Sequence, residues 1–520
     1  MCIFSFRYKK ASSDSKVKGV IVLKVWQSVE ELHNHAKQAI GRQIKKLVKP
    51  ETTQKYYDNP KNKGWIGNSV EADYFGLPNN NRKEADFANL GVELKVTPIK
   101  MTKKGWSSKE RLTLNVFDFH DECTRTFETA SFIQKANLIE IVYYEFIQNI
   151  PSPDLIIKQA VLFDLLKLPE EDMLIIKQDW EKIVQKIKDG KAEELSDSLT
   201  TYLGATTKGS KSERNMRSQP YSNKKAHQRA FTLKTTYMSF MAKKFMSEDF
   251  KEESLISDVL ALKEKTFEEI ITEKFRPFIG KKKSEIANQF GVVIPKQNDK
   301  ASSHTLANKM LNLKNDIQDT KEFQKGNISV KIVTVNRKSK TKGSKLPKAT
   351  EGFKLQNYFN FSEIIQQDWE DSQLYEYLSE TRFLLVIWEE TKTGEIFRGV
   401  KFWNMPFEDL EGQVHEVWEK TRQTLIDGVE LEYKPSNNKK GFIVCNNFTS
   451  MSDEKILHVR PDAAKSSYKE DLNTMRLPNK SKWKNRPPYL EEELTDDYMT
   501  KQAFWLNPTY MYQQVKELFK

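Results

Sequence analysis

Short apolar segments along the chain alternate with longer segments in which apolar residues recur at helical spacing. The segment 92–96 alternates apolar side chains with Glu93 and Lys95, which predicts a strand that has one face in the core. Continuous apolar runs at 137–144 and 382–388 predict two further, more deeply buried strands. We expect these strands to form the centre of a mixed sheet.

Helices are predicted between the strands. Residues 180–187 and 417–426 show apolar residues at helical spacing. The segments 28–31 and 266–269 both read as a helix start, with Ser or Thr followed three residues later by Glu. Because strands and helices alternate, the predicted fold class is α/β, of the mixed α+β kind, with a central mixed sheet flanked by helices.

Several segments of the first half return in the same order in the second half. The paired segments are 63–71 with 300–308, 85–95 with 321–331, and 230–238 with 503–511. This order predicts a tandem duplication. The predicted domains are an N-terminal extension, a first unit, a charged linker that is expected to be helical, and a second unit, at 1–26, 27–242, 243–265 and 266–520.

Composition directs the prediction of function towards a polyanionic partner. The 520 residues include 38% hydrophobic and 11% aromatic residues, enough to build two or three domain cores. The formal net charge of +12 favours nucleic acid as the partner, with an acidic membrane surface as the second choice. Codon usage alone also produces lysine-rich chains, so the net charge does not establish a nucleic-acid partner without supporting motifs.

Cysteine spacing and hydropathy exclude several classes of protein. The three cysteines, Cys2, Cys123 and Cys445, lie far apart, which argues against a disulfide framework and a cysteine zinc site and favours a reducing cytoplasm. No apolar run reaches the roughly 18 residues of a membrane span. Residues 1–10 lack the pattern of a secretory signal.

The strongest chemical signal is a group of acids and a lysine around one predicted strand. Glu93 and Lys95 lie on its polar face, and Gly91 permits a bend that returns Asp86 towards Glu93. Two adjacent carboxylates repel each other unless a cation neutralises them, and hard oxygen ligands suit Mg²⁺. An isolated acid-x-Lys triplet is usually a solvated surface pair. Here a strand carries it, and Asp86 and Glu71 accompany it.

These residues carry a family resemblance. The segments 63–71 and 86–98, together with 129–132 and 217–221, resemble the MutH mismatch-repair nicking endonucleases. They are more similar to the Sau-type (GATC-specific) type II restriction endonucleases, which carry a MutH-like fold twice. The resemblance extends from about residue 27 to the C-terminus. It implies that the duplicated fold is restriction-endonuclease-like.

The resemblance also implies an activity and a site. Asp86 and Glu93 would be metal ligands, Lys95 the catalytic lysine and Glu71 an additional active-site acid. The implied reaction is Mg²⁺-dependent hydrolysis of double-stranded DNA at GATC, before the G, which leaves 5′-phosphate ends and 5′ overhangs. Our own hypothesis is that the C-terminal unit engages a second DNA site or stabilises a DNA-induced dimer. A cognate methyltransferase would act on the same sites without binding this protein, in the cytoplasm of a prokaryote.

Basic residues in both units are the predicted DNA contacts. The segment 208–234 carries eight Lys and Arg residues against one acid, a pattern that a solvated surface face would also produce. Lys and Arg contact phosphates, whereas Arg and Gln also bind base edges. The predicted contacts are Lys63, Arg214, Arg217, Gln219, Lys224, Lys225, Arg229 and Lys234 in the first unit, and Arg337, Lys338, Lys340 and Arg460 in the second.

The second unit repeats the acidic site in degenerate form. Its predicted members are Asn308, Glu322, Ser329 and Lys331, which align with Glu71, Asp86, Glu93 and Lys95 in that order. A site with one acid binds Mg²⁺ poorly, so the second unit is predicted not to cleave DNA. It would bind DNA and regulate the first unit, or serve only as a scaffold.

Two other functions fit parts of the pattern. A MutH-like mismatch-repair nickase would use the same acids, but the predicted duplication argues against it because MutH proteins carry one copy. A non-catalytic DNA-binding regulatory protein would explain the net charge but not the complete set of acids around Glu93.

Overall fold

The structure is a computed structural model of the protein. It describes residues 25–60, 62, 64–77, 84–103, 105–209, 213–246, 253–295, 300–340, 347–350, 352–437 and 441–520, without the side chains of 339 and 340. Most of the predicted N-terminal extension, at 1–24, and the predicted DNA contact Lys63 lie outside the described residues.

The first unit contains seven helices and nine strands among its described residues. The helices are α1 (Val29–Lys37), α2 (Pro50–Asp58), α3 (Trp65–Ser69), α4 (Phe119–Glu122), α5 (Ser131–Ala136), α6 (Glu170–Lys188) and α7 (Thr235–Met246). The strands are β1 (Val92–Thr102), β2 (Gly105–Ser108), β3 (Leu112–Phe117), β4 (Leu138–Glu145), β5 (Ile157–Asp164), β6 (Leu203–Thr207), β7 (Met216–Gln219), β8 (Ser222–His227) and β9 (Arg229–Leu233).

The second unit contains nine helices and twelve strands among its described residues. The helices are α8 (Phe267–Phe275), α9 (Lys283–Phe290), α10 (Lys300–Met310), α11 (Lys321–Gly326), α12 (Phe361–Ile364), α13 (Gln373–Glu380), α14 (Phe407–Asp409), α15 (His415–Asp427) and α16 (Pro508–Val515). The strands are β10 (Ile328–Lys340), β11 (Pro347–Ala349), β12 (Phe353–Lys354), β13 (Arg382–Thr391), β14 (Gly394–Trp403), β15 (Glu430–Pro435), β16 (Phe442–Asn446), β17 (Leu457–Pro461), β18 (Thr474–Arg476), β19 (Lys482–Trp483), β20 (Tyr498–Thr500) and β21 (Gln502–Leu506).

The mixed α/β fold predicted from the sequence is confirmed. The three predicted strands are β1, β4 and β13, and the two predicted helices are parts of α6 and α15. Ser28 caps α1, because its hydroxyl accepts a hydrogen bond from the backbone N–H of Glu31. At α8, Thr266 and Glu269 form the reciprocal capping box, so the local start signals operate as expected.

The two units repeat the same strand orders. The four-stranded sheets run β2-β1-β4-β5 and β11-β10-β13-β14, and in each the two central strands are parallel while the outer pairs are antiparallel. Three-stranded antiparallel sheets follow in the orders β3-β9-β6 and β12-β21-β17. Each unit therefore places a parallel central strand pair next to an antiparallel three-stranded sheet.

A glycine turn recurs at the same place in both units. Gly41 and Gly280 adopt φ of +80° and +85°, which residues with a Cβ rarely adopt. The N–H of Gly41 donates to the carbonyl of Ile157 on β5, and that of Gly280 donates to the carbonyl of Phe397 on β14. In both units this turn fixes the first helix against the outer strand of the four-stranded sheet.

The prediction of a helical linker at 243–265 holds only as far as Met246 and is wrong for the described residues beyond it. Helix α7 ends at Met246, and 253–265 is irregular apart from a 3₁₀ turn at Leu260–Lys263. Leu255 and Leu262 are 1% and 3% exposed and belong to the largest core cluster. The apolar residues scattered among the charges bury this segment, so it packs against both units as part of the fold.

The two units share one core. The largest cluster of buried apolar residues includes side chains from β4 and α6 of the first unit and from α8 and β13 of the second. A buried ion pair crosses the same interface, where Lys325 Nζ lies 2.7 Å from Asp172 Oδ2. No helix in the described part of the chain is both long and apolar enough to cross a membrane.

Candidate active site

Among the described residues, strand β1 has no strand partner on one side between Val92, which bridges to Phe87, and Ile99, and this stretch is its open edge. It pairs with β4 on the opposite side, whereas β2 pairs only with the four residues from Ile99 onwards. Val92 and Leu94 are fully buried in the core, as the alternation predicted. Glu93 is 2% exposed, and the Lys95 side chain is 27% exposed. The open edge therefore lies where the predicted catalytic residues are.

A tight turn brings Asp86 beside Glu93. The N–H of Phe87 donates to the carbonyl of Val92, and Gly91 adopts φ of +66°, so the chain reverses directly before β1. Asp86 Oδ2 accepts a hydrogen bond from the N–H of Leu94 at 3.0 Å, and the N–H of Asp86 donates to Glu93 Oε2 at 3.3 Å. The bend expected at Gly91 is confirmed.

Glu71 completes a group of three carboxylates. It lies in a π-helical turn, Val70–Tyr74, that continues α3. Burial raises the pKa of Glu71, and the negative charge of Asp86 raises it further. Burial likewise raises the pKa of Glu93, an effect that Lys95 opposes. A bound cation would relieve the repulsion among these carboxylates and offset the cost of burying their charges.

Two lysines approach Glu93. Lys95 Nζ lies 2.6 Å from Glu93 Oε1, and Lys135 Nζ lies 3.8 Å from the same oxygen. Lys135 is not among the site residues predicted from the sequence. It belongs to α5, which ends directly before β4, and the parallel pairing of β4 with β1 carries it to this site. The available signal was its place three residues after the segment 129–132 of the family resemblance.

The donor set suits a hard divalent cation. Among the residues that the structure describes, no three Asp, Glu, His or Cys side chains are grouped closely enough to enclose a metal ion. The site instead offers the adjacent carboxylates of Asp86 and Glu93 and the nearby Glu71. A cation such as Mg²⁺ usually retains several waters and takes one or two protein carboxylates, so this set fits it.

Some of the predicted DNA contacts in the first unit are accessible. Arg214 and Lys225 are exposed, and the side chain of Lys224 is 76% exposed, with Nζ 3.3 Å from Glu193. Arg217 is half-buried and donates to Gln228 Oε1 and to a backbone carbonyl. Arg217, Lys224 and Lys225 lie on the β7–β8 hairpin and Arg214 lies directly before it, so this hairpin is the accessible basic surface of the region.

Three predicted DNA contacts are buried instead. The amide of Gln219 accepts from the N–H of Ala192 and donates to Glu193, which holds the hairpin onto the unit. Arg229 is 6% exposed and donates to a backbone carbonyl. Lys234 donates to a backbone carbonyl at 2.5 Å, and burial lowers its pKa to about 8. Placing these residues at the DNA surface is wrong, because packing within and between the units encloses them.

The second unit keeps exposed cations on its strands. Arg337 pairs with Glu389, and Lys338 is exposed on the same strand, β10. Arg460 is exposed at the end of β17, with its guanidinium 4.7 Å from the ring centre of Trp505. The side chain of Lys340 lies outside the described residues.

The predicted pairing of Glu322 with Asp86 is wrong. Glu322 is fully buried in α11, where it accepts hydrogen bonds from the N–H groups of Leu255 and Ile256. Gln318 occupies the place of Asp86 instead. Its Oε1 accepts from the N–H of Val330, the bond that Asp86 makes with the corresponding residue of β1.

The second site therefore lacks acids at all three compared positions. Asn308 accepts a hydrogen bond from the N–H of Ile317, and Ser329 and Lys331 lie on β10 in the register that Glu93 and Lys95 have on β1. The residues that stand there are Asn308, Gln318 and Ser329. The second unit has no carboxylate at these positions with which to bind a cation.

Known proteins resemble this chain over different lengths. A family model for the DNA mismatch repair enzyme MutH matches residues 75–179, which include Asp86, Glu93, Lys95 and Lys135. The type II restriction enzyme Sau3AI of Staphylococcus aureus is 39% identical over 504 residues, 94% of this chain and 98% of its own. The DNA mismatch repair protein MutH of Shewanella amazonensis is 30% identical over 170 residues, 33% of this chain and 73% of its own. MutH of Pasteurella multocida is 27% identical over 191 residues, 36% and 81% of the two chains.

Proposed function

Since this chain belongs to the family of type II restriction enzymes that includes Sau3AI, and is a site-specific deoxyribonuclease, we propose that it cleaves double-stranded DNA at GATC. Cleavage before the G would leave 5′-phosphate ends and 5′ overhangs. The observation that carries the proposal is the meeting of Asp86, Glu93 and Lys95 at the open edge of β1. A duplex can approach such an edge, whereas a paired strand would exclude it.

The proposed cofactor is Mg²⁺, which Asp86 and Glu93 would hold. When bound, it would polarise the scissile phosphate and lower the pKa of the attacking water. Lys95 would position that water and stabilise the negative charge that develops on the phosphate oxygens. Lys135, whose ammonium group also faces Glu93, would add positive charge on the same side. Glu71 would supply a third negative charge and strengthen cation binding.

We further propose that the chain is a tandem duplication in which the second unit has lost cleavage and retains DNA binding. The repeated strand orders and the glycine turn at Gly41 and Gly280 support the duplication. Neutral residues at the three acid positions support the loss of cleavage. Binding of a second DNA site through this unit, with a DNA-induced dimer, would couple recognition at two sites to cutting in the first unit.

The alternatives receive less support. The MutH relatives span about a third of this chain, whereas the restriction enzyme relative spans nearly all of it. A MutH-like repair nickase would leave the second unit without a role. A purely regulatory DNA-binding protein would leave the carboxylates around Glu93 unexplained. The proposed setting is the cytoplasm of a prokaryote, beside a methyltransferase that protects the same sites.

The test is digestion of a plasmid of known GATC content by the purified chain with Mg²⁺. Double-strand fragments whose ends map before the G of GATC are the expected products, and EDTA should prevent their formation. Nicked circles without linear fragments would favour the repair nickase. Fragments whose ends map to another sequence would refute the specificity and leave the nuclease assignment in place.

A further inference from the structure

A cavity of about 430 Å³ opens beside β10 in the second unit. Helix α10 supplies Lys300 and His304, β10 supplies Lys331, and β12 supplies Phe353 and Lys354. Trp505 of β21 forms part of the wall, and its buried indole N–H has no acceptor among the described residues. Three lysines and a histidine thus surround one space, and none of the described residues that line it is acidic.

The cavity adjoins the position that the active site has in the first unit: Lys331, the counterpart of Lys95, lines it, whereas Gln318 and Ser329 line a neighbouring cavity. Lys331 pairs with β13 in the register in which Lys95 pairs with β4. Its ammonium group lies 5.3 Å from the ring centre of Phe353. Burial lowers the pKa of Lys331, and the positive charges of Lys300 and Lys354 lower it further. The three cations are therefore close enough to interact, and an anion placed among them would relieve their repulsion.

Among the described residues, two carboxylates pair with basic side chains of the cavity without lining it. Asp316 lies 2.8 Å from His304 Nε2, and Asp462 lies 2.6 Å from Lys354 Nζ, but neither lines the cavity. The corresponding region of the first unit holds three carboxylates against two lysines. The second unit has neutral residues in place of the three acids, and the basic cavity lies beside them.

We propose that this cavity binds a backbone phosphate of duplex DNA directly through lysine ammonium groups, without a metal ion. The inference rests on the proposed DNA binding by the second unit and specifies how that unit holds its duplex. Lysine donates to phosphate as a compact point charge, and several lysines around one space provide the positive charge that a divalent cation would provide in the first unit. Binding of the second duplex is then independent of divalent cations, whereas cleavage requires them.

The test titrates the full-length protein with a short GATC duplex in EDTA and counts the duplexes bound per chain. The wild type is expected to bind two. Lys331→Met should weaken the second binding event about tenfold, the effect expected for one charged hydrogen bond. It should also reduce the slope of log K against log salt concentration by about 0.9, the value for one phosphate contact. Lys420→Met changes an exposed lysine of α15, outside the cavity, and is the matched control.

Lys300→Met provides a second variant that does not depend on a buried position, because Lys300 is exposed at the start of α10. It should weaken the second binding event in the same way. If the wild type binds one duplex and neither variant changes its affinity, the proposed DNA binding by the second unit fails. If the wild type binds two and both variants keep its affinity and salt slope, the phosphate site is refuted while the proposed function stands.

Discussion

The buried ion pair between the units offers a direct test of the shared core. Lys325 Nζ lies 2.8 and 2.7 Å from the two carboxylate oxygens of Asp172, and the side chains are 4% and 1% exposed. The hydroxyl of Tyr237 donates to the same carboxylate at 2.9 Å. Asp172→Asn keeps the shape of the side chain but leaves the ammonium group of Lys325 buried without a counter-charge. Breaking a buried pair in this way costs about 3–5 kcal/mol.

Urea unfolding monitored by tryptophan fluorescence measures this loss. Asp172→Asn should lower the free energy of unfolding by about 3–5 kcal/mol. The double variant Asp172→Leu with Lys325→Met should recover most of it, because two apolar side chains replace the pair without leaving a buried charge. A loss below about 1 kcal/mol in Asp172→Asn, the level of an exposed pair, would refute the placement of the two units against each other. A double variant no more stable than Asp172→Asn would show that packing, not charge, dominates.

Three further predictions follow from the site. The pKa of Glu93 is raised in the folded protein, so the contribution of its carboxyl group to stability is lost as pH rises through that pKa. Glu93→Gln should therefore stabilise the metal-free protein at neutral pH. Thermal unfolding in EDTA measures this change. An unchanged or lower melting temperature would contradict this. In the pH profile of the cleavage rate, the loss of activity at acidic pH should occur above the ordinary pKa range of glutamate. It should move to lower pH as the Mg²⁺ concentration increases, because protons and the cation compete for the same carboxylate oxygens. A profile that does not respond to Mg²⁺ would exclude that competition. Lys224→Met and Lys225→Met should each reduce the slope of log K for DNA binding against log salt concentration by about 0.9, because both lysines are exposed. Arg229→Met should instead lower the melting temperature and leave this slope unchanged, because Arg229 is buried. The reverse pattern would place Arg229 at the DNA.

The first site could be predicted from the sequence because its parts are close together along the chain. Asp86, Gly91, Glu93 and Lys95 lie within one turn and one strand, so strand periodicity and the bend at glycine were sufficient. Lys135 could not be found in this way, since only the parallel pairing of β4 with β1 brings it there. A contact of that kind depends on which strands become neighbours.

The degenerate site shows where an ungapped alignment fails. The connection before β10 is longer than the one before β1 and contains α11, so the alignment placed Glu322 where Gln318 stands. The residue type alone does not distinguish a buried glutamate that accepts backbone hydrogen bonds from a catalytic glutamate. Its partners, which lie in the segment between the units, distinguish the two roles.

The basic segment 208–234 illustrates a second limit. Lys224 and Lys225 are exposed, whereas Arg229 and Lys234 are buried although all four are cations in one short segment. Pairing with β6 buries Arg229, and Asn327 and Glu380 of the second unit lie beside Lys234; local sequence encodes neither contact. Net charge therefore predicts the class of partner, and only the fold determines which cations reach it.

The measurement that tests the central claim most directly is single-turnover cleavage of a GATC duplex by Glu93→Gln and Glu140→Gln, each with saturating Mg²⁺. Both residues are buried glutamates on paired central strands of one sheet, but Glu140 pairs with Leu94 and so lies on the face opposite Glu93, with Oε2 2.9 Å from His33 Nδ1, and burial raises the pKa of Glu140 to about 8. Glu93→Gln should lower the cleavage rate by at least about a hundredfold, in the range for loss of a group that stabilises transition-state charge, with duplex binding in EDTA unchanged. Glu140→Gln should cleave at a rate within about twofold of the wild-type rate, which corresponds to a change of well under about 1 kcal/mol in the activation free energy. Normal cleavage by Glu93→Gln would contradict the account.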